Sequence, residues 1–345
     1  MQGNNRAKVL AAARAEFMTR GFREAKIDAI AERAELTRGA VYSNFPGKRA
    51  LYFAVLAEEA AQLPPPDYAP TAGSVGAALG DFARAWQARL PLSTEDRHSA
   101  TRLGRDLLPE VLADERVRVP YAQLTALSAV LLGLSLEGVR GGAPGRLVRV
   151  AEVALTLLHG TTQLAAAAPG FGEPFAVAQA CAALAGLDTG DEWAPTHLPY
   201  VSPARPVTDP WDPPAATDAL RAAPASLRAD GVVAVLGLHR LSAVEEALRT
   251  VPPSGTVTLV VVTGEPGELG PLARLAVAEL RACLRAAVPE RAWCRLQIVH
   301  DESGALAAAA GVAAVSDATE SAVRVRGGRI VARADGYGAC YAVAA

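Results

Sequence analysis

Lysine is nearly missing from the chain. Only Lys8, Lys26 and Lys48 stand among its 34 basic residues, and alanine is abundant, a bias expected of a high-GC bacterial genome. Cysteine is almost as scarce, and Cys181, Cys283, Cys294 and Cys340 form no C-x-x-C pair. They are expected to be small buried hydrophobes in a reducing compartment. No apolar run reaches the roughly eighteen residues of a membrane helix, and residues 1–20 lack the apolar stretch of a signal peptide. The expectation is therefore a cytoplasmic protein with no membrane contact. Net charge is also close to nil, at −2, but it is unevenly spread: residues 1–50 hold ten Lys or Arg against five Asp or Glu. The basic excess lies at the N-terminus, where an anionic partner can be met.

With 345 residues, 51% of them apolar, the chain can build two or three globular domains. Val9, Leu10, Ala13 and Phe17 recur at helical spacing, and Gly21 follows at a C-cap position. Ile27, Ile30, Ala31 and Ala34 give a second helix. Thr37 is placed to cap a third with Ala40, Val41 and Phe45 inward, and Pro46-Gly47 separates it from a fourth that begins at Leu51. Residues 73–187 stay helical, with breaks expected at Pro91, Pro120, Gly141 to Pro144 and Pro169-Gly170. Residues 190–228 hold eight of the 24 prolines together with Trp193 and Trp211, and read as an extended linker that packs against a neighbour. Beyond it, strands at 231–238, 256–263 and 293–300 alternate with helices at 243–250, 271–287 and 303–311. A hairpin over 321–334 turns at Gly327-Gly328.

The stretch "TRGAVYSNFPGKRALY" (37–52) mixes small residues, polar side chains, aromatics and cations. A short helix and a second helix with a small, polar outer face is the arrangement that enters a DNA major groove. Gly39 and Ala40 allow close approach there. Arg38, Ser43 and Asn44 are candidates for base edges or phosphates, while Tyr42, Lys48, Lys26 and Thr37 suit the backbone. Lys48 also lies near a helix start, where N–H groups favour an anion.

Residues 25–58, "AKIDAIAERAELTRGAVYSNFPGKRALYFAVLAE", resemble the DNA-binding region of the TetR family of bacterial transcription regulators. The IA-x-x-A run, the Thr-Arg-Gly-Ala-x-Tyr run, Phe45 and Lys48 fall in register, and the match covers residues 5–58. One departure stands out. Ala25-Lys26 replaces the family's Thr or Ser at the start of the second helix, so a hydroxyl contact to phosphate is lost and charge alone is left.

The resemblance implies a helical homodimer on a palindromic double-stranded operator, most simply a repressor released by a small-molecule effector, with no catalytic residues and no metal or other cofactor. The helices around Leu147 to Ala168 and Pro174 to Leu187 sit where the family dimerises. The expected interface residues are Leu147, Val150, Val153, Ala154, Leu157, Leu158 and Leu164, with His159 an interface residue as well. Candidate effector contacts are Phe82, Trp86, His98, Arg102, Leu103, Tyr121, Leu127 and Leu131, which mix apolar surface with a few polar groups. The remaining His residues are too dispersed for a metal site.

The α/β end resembles a thioredoxin-like fold. Residues 298–315 are similar to part of peroxiredoxin-like proteins, and 327–338 to their last strands and to the thioredoxin-like tails of flavin-dependent aromatic hydroxylases. The turn after the first strand, "LHRLSAVEE", holds no Cys, and "GVAAVSDATES" holds no Pro where the fold's cis-proline stands. The expected organisation is a helix-turn-helix domain (1–60), a helical ligand-binding and dimerisation domain (61–189), a Pro-rich linker (190–228) and a redox-inactive α/β domain (229–345). The rival reading is a thiol-based redox sensor or enzyme-like module tethered to DNA.

Overall fold

The computed structural model describes residues 2–345 except 65, 71–72, 91–99, 142–144, 194–200, 202 and 253–254. Among the described residues, nine α-helices come first: α1 (Gln2–Glu24), α2 (Ile27–Arg33), α3 (Arg38–Asn44), α4 (Lys48–Ala61), α5 (Val75–Gln87), α6 (Leu107–Leu112), α7 (Glu115–Arg140), α8 (Val148–Ala167) and α9 (Pro174–Ala183). Pro120 was expected to break the chain, yet it lies inside α7. It stands one and a half turns from the N-cap Asp114, so its missing N–H removes a single early backbone bond.

Eight strands and four α-helices of the described residues follow: β1 (Arg205–Pro210), β2 (Thr217–Asp218), β3 (Ala223–Pro224), β4 (Gly231–Gly237), α10 (Val244–Thr250), β5 (Thr256–Val262), α11 (Leu269–Ala287), β6 (Leu296–His300), α12 (Ala305–Ala309), β7 (Glu320–Arg326), β8 (Arg329–Asp335) and α13 (Ala339–Ala344). The main sheet runs β1-β8-β7-β4-β5-β6. Strands β4, β5 and β6 are parallel and buried on both faces, which is why they read as continuous Val and Leu runs. Strand β7 turns antiparallel on β4, and β8 on β7. Gly327 and Gly328, at φ 56° and 72°, make the two-residue turn between them.

The segment expected to be a linker contributes β1 to the sheet edge, with Pro206 and Pro210 where an edge tolerates them. Trp211 is buried in the core cluster, its Nε1 donating to the Leu227 carbonyl at 2.7 Å. Packing of its indole is what fixes this proline-rich stretch.

The chain divides into two compact units, residues 1–118, 132–191 and 267–293 in one, and 119–131, 192–266 and 294–345 in the other. The division does not follow the sequence boundaries. α11, read from sequence as a helix of the α/β end, belongs to the first unit and packs on α4 and α5. In the second unit the core is formed by Val233, Val235, Val260, Val299, Val323 and Ile330 with Trp211.

α7 holds no uninterrupted apolar run, but it is long and apolar enough by length and composition to cross a membrane. More than half of its apolar window is buried within the protein, as in a core helix.

Candidate nucleic-acid interface

Helix α2 ends in a Schellman motif: the Leu36 N–H donates to the Ala31 carbonyl and the Glu35 N–H to Glu32, both at 3.0 Å. Glu35 takes the left-handed conformation there, at φ 57°, a position that glycine usually fills. The next residue but one, Thr37, opens α3, and its Oγ1 accepts from the Ala40 N–H at 3.2 Å. A tight stop and an immediate cap together set α3 at an angle to α2.

α3 keeps its inner edge buried through Val41, with Phe45 following it into the core. Its outer edge leaves Thr37, Arg38, Gly39, Tyr42 and Ser43 exposed, with Ala40 and Asn44 half-buried. At seven residues it spans about 10 Å, a length that fits across a major groove about 12 Å wide. Arg38 is held over the Tyr42 ring at 5.5 Å and pairs with Asp28 at 3.5 Å. Hydrogen bonding to Tyr42 and then the charge of Asp28 push the Arg38 pKa up. Both partners of the ion pair are exposed, so the guanidinium can be exchanged for a DNA acceptor at little cost.

Other predicted residues are more committed. Ser43 Oγ and Asn44 Nδ2 both donate to the Ala40 carbonyl, at 2.9 and 2.8 Å. The Thr37 hydroxyl proton remains available to a phosphate while its oxygen caps the helix. Lys48 Nζ donates to the carbonyls of Arg23 and Ala25, at 3.2 and 3.1 Å, and stands 4.5 Å from the centre of the Phe22 ring. It closes the end of α1 and has one of its three ammonium protons left for an anion. Lys26 is exposed at the N-cap of α2 and makes no side-chain cap bond, so the departure from the family pattern leaves that helix start bare.

Three residues without a sequence signal complete the module. Arg6 donates to the Asn44 carbonyl at 3.2 Å and lies 4.4 Å over the Phe45 ring, pinning the exit of α3. Glu16, buried on α1, pairs with Arg20 at 3.1 Å and Arg33 at 3.9 Å. Arg49, in the first turn of α4, donates to Asp114 at 2.9 Å and to Glu268 at 2.6 Å. Apart from the i,i+4 pair of Glu16 with Arg20, these contacts act over long sequence separations that periodicity does not reveal.

Residues 9–55 match the tetR family of bacterial regulatory proteins. The matched stretch takes in α2, α3 and the turn between them. Two solved structures similar to the chain are NalD, the secondary repressor of the MexAB-OprM multidrug efflux pump in Pseudomonas aeruginosa, and a candidate TetR-family transcriptional regulator from Mesorhizobium loti. NalD is 18% identical, with 54% of this chain and 96% of NalD covered at a TM-score of 0.33. The second is 17% identical, with 54% and 95% covered at 0.27. No curated protein matches the chain.

The predicted effector residues are divided between the two units. Phe82 and Trp86 stack on α5 with ring centres 6.3 Å apart, and Leu103 is buried and accepts from the Tyr52 hydroxyl through its carbonyl. Leu127 and Leu131 are buried in the second unit, with Tyr121 half-buried on the same helix. His98 and the Arg102 side chain lie outside the described residues. His159, expected at a subunit interface, meets the Trp86 ring edge-on at 5.0 Å, and Trp86 Nε1 donates to Thr162 Oγ1 at 3.0 Å.

The predicted dimer stripe on α8 divides in two. Leu147, Val150, Ala154 and Leu158 are buried within the protomer, because they form the helix's inner face. Val153 and Leu164 are exposed and Leu157 half-buried, on the outer face, and Phe175 is exposed on α9.

Proposed function

We propose that the protein is a cytoplasmic transcriptional regulator that binds a palindromic operator as a homodimer, acts as a repressor and is released by a small molecule. The observation that carries the reading is α3: a capped helix, fixed from beneath by Val41 and Phe45, that leaves Arg38, Gly39, Tyr42 and Ser43 facing outward. Ser43 and Asn44 reach bases by giving up their bonds to Ala40, and Lys26, Thr37 and Lys48 meet phosphates. The outer faces of α8 and α9, with Val153, Leu157, Leu164 and Phe175, support a dimer interface that sets two such helices about one DNA turn apart.

The effector region is read around Phe82, Trp86 and Leu103, where aromatic surface meets the polar groups of His159 and Thr162. The α/β segment is read as a thioredoxin-like module without thiol chemistry. Its mixed sheet and the absence of Cys in "LHRLSAVEE" support that reading. All four thiols are buried, and burial pushes Cys181, Cys283 and Cys294 up to about 11 and Cys340 well above its ordinary value. A thiolate sensor needs the opposite shift.

Fluorescence anisotropy with the DNA upstream of the gene, and with duplexes enriched from a random pool, tests the reading. Sequence-dependent binding that weakens in Arg38→Ala and weakens with salt is expected. Equal affinity for every duplex, enriched or random, would exclude a sequence-reading α3. Leu164→Glu is expected to yield a monomer by light scattering.

A further inference from the structure

α11 is entered from β5 and left toward β6, yet its packing partners are α4 and α5. Its path can be followed residue by residue. A Cβ at Gly267 would lie 3.3 Å from Pro46 Cγ, and Glu268 Oε1 accepts from Arg49 Nε at 2.6 Å. Further along, Arg281 Nη2 donates to the carbonyl of Ala61, the last residue of α4, at 3.2 Å. The start of α11 thus meets the start of α4, and a point some twelve residues on meets its end. The two helices run parallel and nearly in register over about 18 Å.

Beside α5, Glu279 pairs with Arg89 at 3.6 Å, and the Tyr68 hydroxyl donates to the Ala286 carbonyl at 3.3 Å. Thirteen of the nineteen residues of α11 are buried, so this is a core helix of the first unit rather than a surface addition.

The start of α4 is also the end of the reading module, since only Phe45, Pro46 and Gly47 separate α3 from α4. Arg49 is the clip at that point. It joins Glu268, at the N-cap of α11, to Asp114, the N-cap of α7, whose Oδ1 accepts from the Arg116 N–H at 3.0 Å. The three side chains are each only 20% exposed, where an ion pair is weakened less by solvent than at an open surface.

We propose that α11 is a brace which the α/β segment lends to α4, and that its seating fixes the angle of α3. The α/β segment then governs DNA binding from inside the helical unit, through the Arg49–Glu268 clip, and is no dispensable tail. The inference rests on the reading of α3 as the DNA-contacting helix only for its consequence at DNA; the brace itself is tested without DNA.

The test uses full-length Glu268→Gln and Pro46→Cys/Gly267→Cys, the native thiols being buried. Amide hydrogen exchange is followed by mass spectrometry. Glu268→Gln is expected to speed exchange at least tenfold in peptides spanning 38–53, with peptides of α8 unchanged. Oxidation of the cysteine pair is expected to slow exchange in 38–53 relative to the same protein reduced. Unchanged exchange in 38–53 in both experiments would overturn the brace. If Glu268→Gln loosens the whole fold, the oxidised-against-reduced comparison decides alone, and no change there overturns the proposal. Altered exchange with unaltered affinity for an enriched duplex would keep the brace and instead refute the role of α3 at DNA.

Discussion

Gly39→Ala separates what α3 needs to fold from what it needs to meet DNA. A Cβ built at Gly39 meets only Thr37 Oγ1, at 3.8 Å, an ordinary van der Waals contact, and the backbone there is not left-handed. Alanine should therefore strengthen the first turn of α3, by about 0.5–1 kcal/mol, because less backbone entropy is lost on folding. That corresponds to a rise in melting temperature of about 1–4 °C for a unit of this size. The added methyl points outward, however, on the edge left bare for the groove. Forcing a methyl into a close-packed contact costs about 1–3 kcal/mol. Affinity for an enriched duplex should then fall by a factor of about 5–150. Thermal melting and anisotropy on one preparation read both effects. A more stable protein that binds DNA as tightly as the parent would show that Gly39 is not in the groove. A less stable one would refute the geometry assigned to α3.

Gly133→Ala on α7 should have the reverse effect on stability, since its Cβ would fall 2.7 Å from Val148 Cα; a loss of about 1–3 kcal/mol is expected from urea unfolding. Lys48→Met strands the carbonyls of Arg23 and Ala25 and should cost about 1–3 kcal/mol, so its DNA-binding loss must be judged against Lys48→Arg, which can keep a donor there. His159 gives a pH dependence. Burial, then the nearby Arg89, lowers its pKa below the usual 6.5 or so, so the folded state binds its proton less readily than the unfolded one. Its contribution is complete above pH 6.5 or so and is lost as pH falls through the lowered value; His159→Gln should flatten the melting temperature below about pH 6.5, and an unchanged slope would place the titration elsewhere.

The sequence carried the reading module well because its determinants are local. Phe17, Ile30, Val41 and Phe45 stand at helical spacing and are all buried, and Thr37 caps α3 through an oxygen visible in the primary structure. The left-handed Glu35 is legible only as a turn, since nothing in its side chain announces the conformation. β4, β5 and β6 are legible because parallel strands covered on both faces must be apolar without interruption, whereas β1, β2 and β3 lie hidden in the proline-rich stretch. What a helix packs against is another matter. The apolar face of α11 would suit the sheet flanking it in sequence as well as it suits α4 and α5, and periodicity encodes a face without naming its partner. The same holds on α8, where one stripe was read as an interface although Val150, Ala154 and Leu158 point into the protomer. Arg6 and Arg49 are not legible in the sequence because each is defined by a partner brought close only by the fold, and the burial of Glu16 beneath Arg20 and Arg33 is likewise set by the fold.

A helix of seven residues cannot hold its own shape in water, because nucleation costs more than so few backbone bonds return. α3 must therefore take its order from its surroundings. Val41 and Phe45 hold its inner edge, Arg6 its exit, and the turn at Pro46-Gly47 ties it to α4. α4 in turn is buried on nearly every side, with Ala50 to Ala57 inaccessible, and α11 supplies part of that cover. It follows that the order of α3 is a property of the whole first unit, including residues 267–293 that the chain delivers only after the strand β5. A chain ended at residue 190 would leave the α11-facing surface of α4 and α5 uncovered. Such a fragment should show looser exchange in α4 and weaker DNA binding than the full protein, even with every residue of the tetR-like module intact.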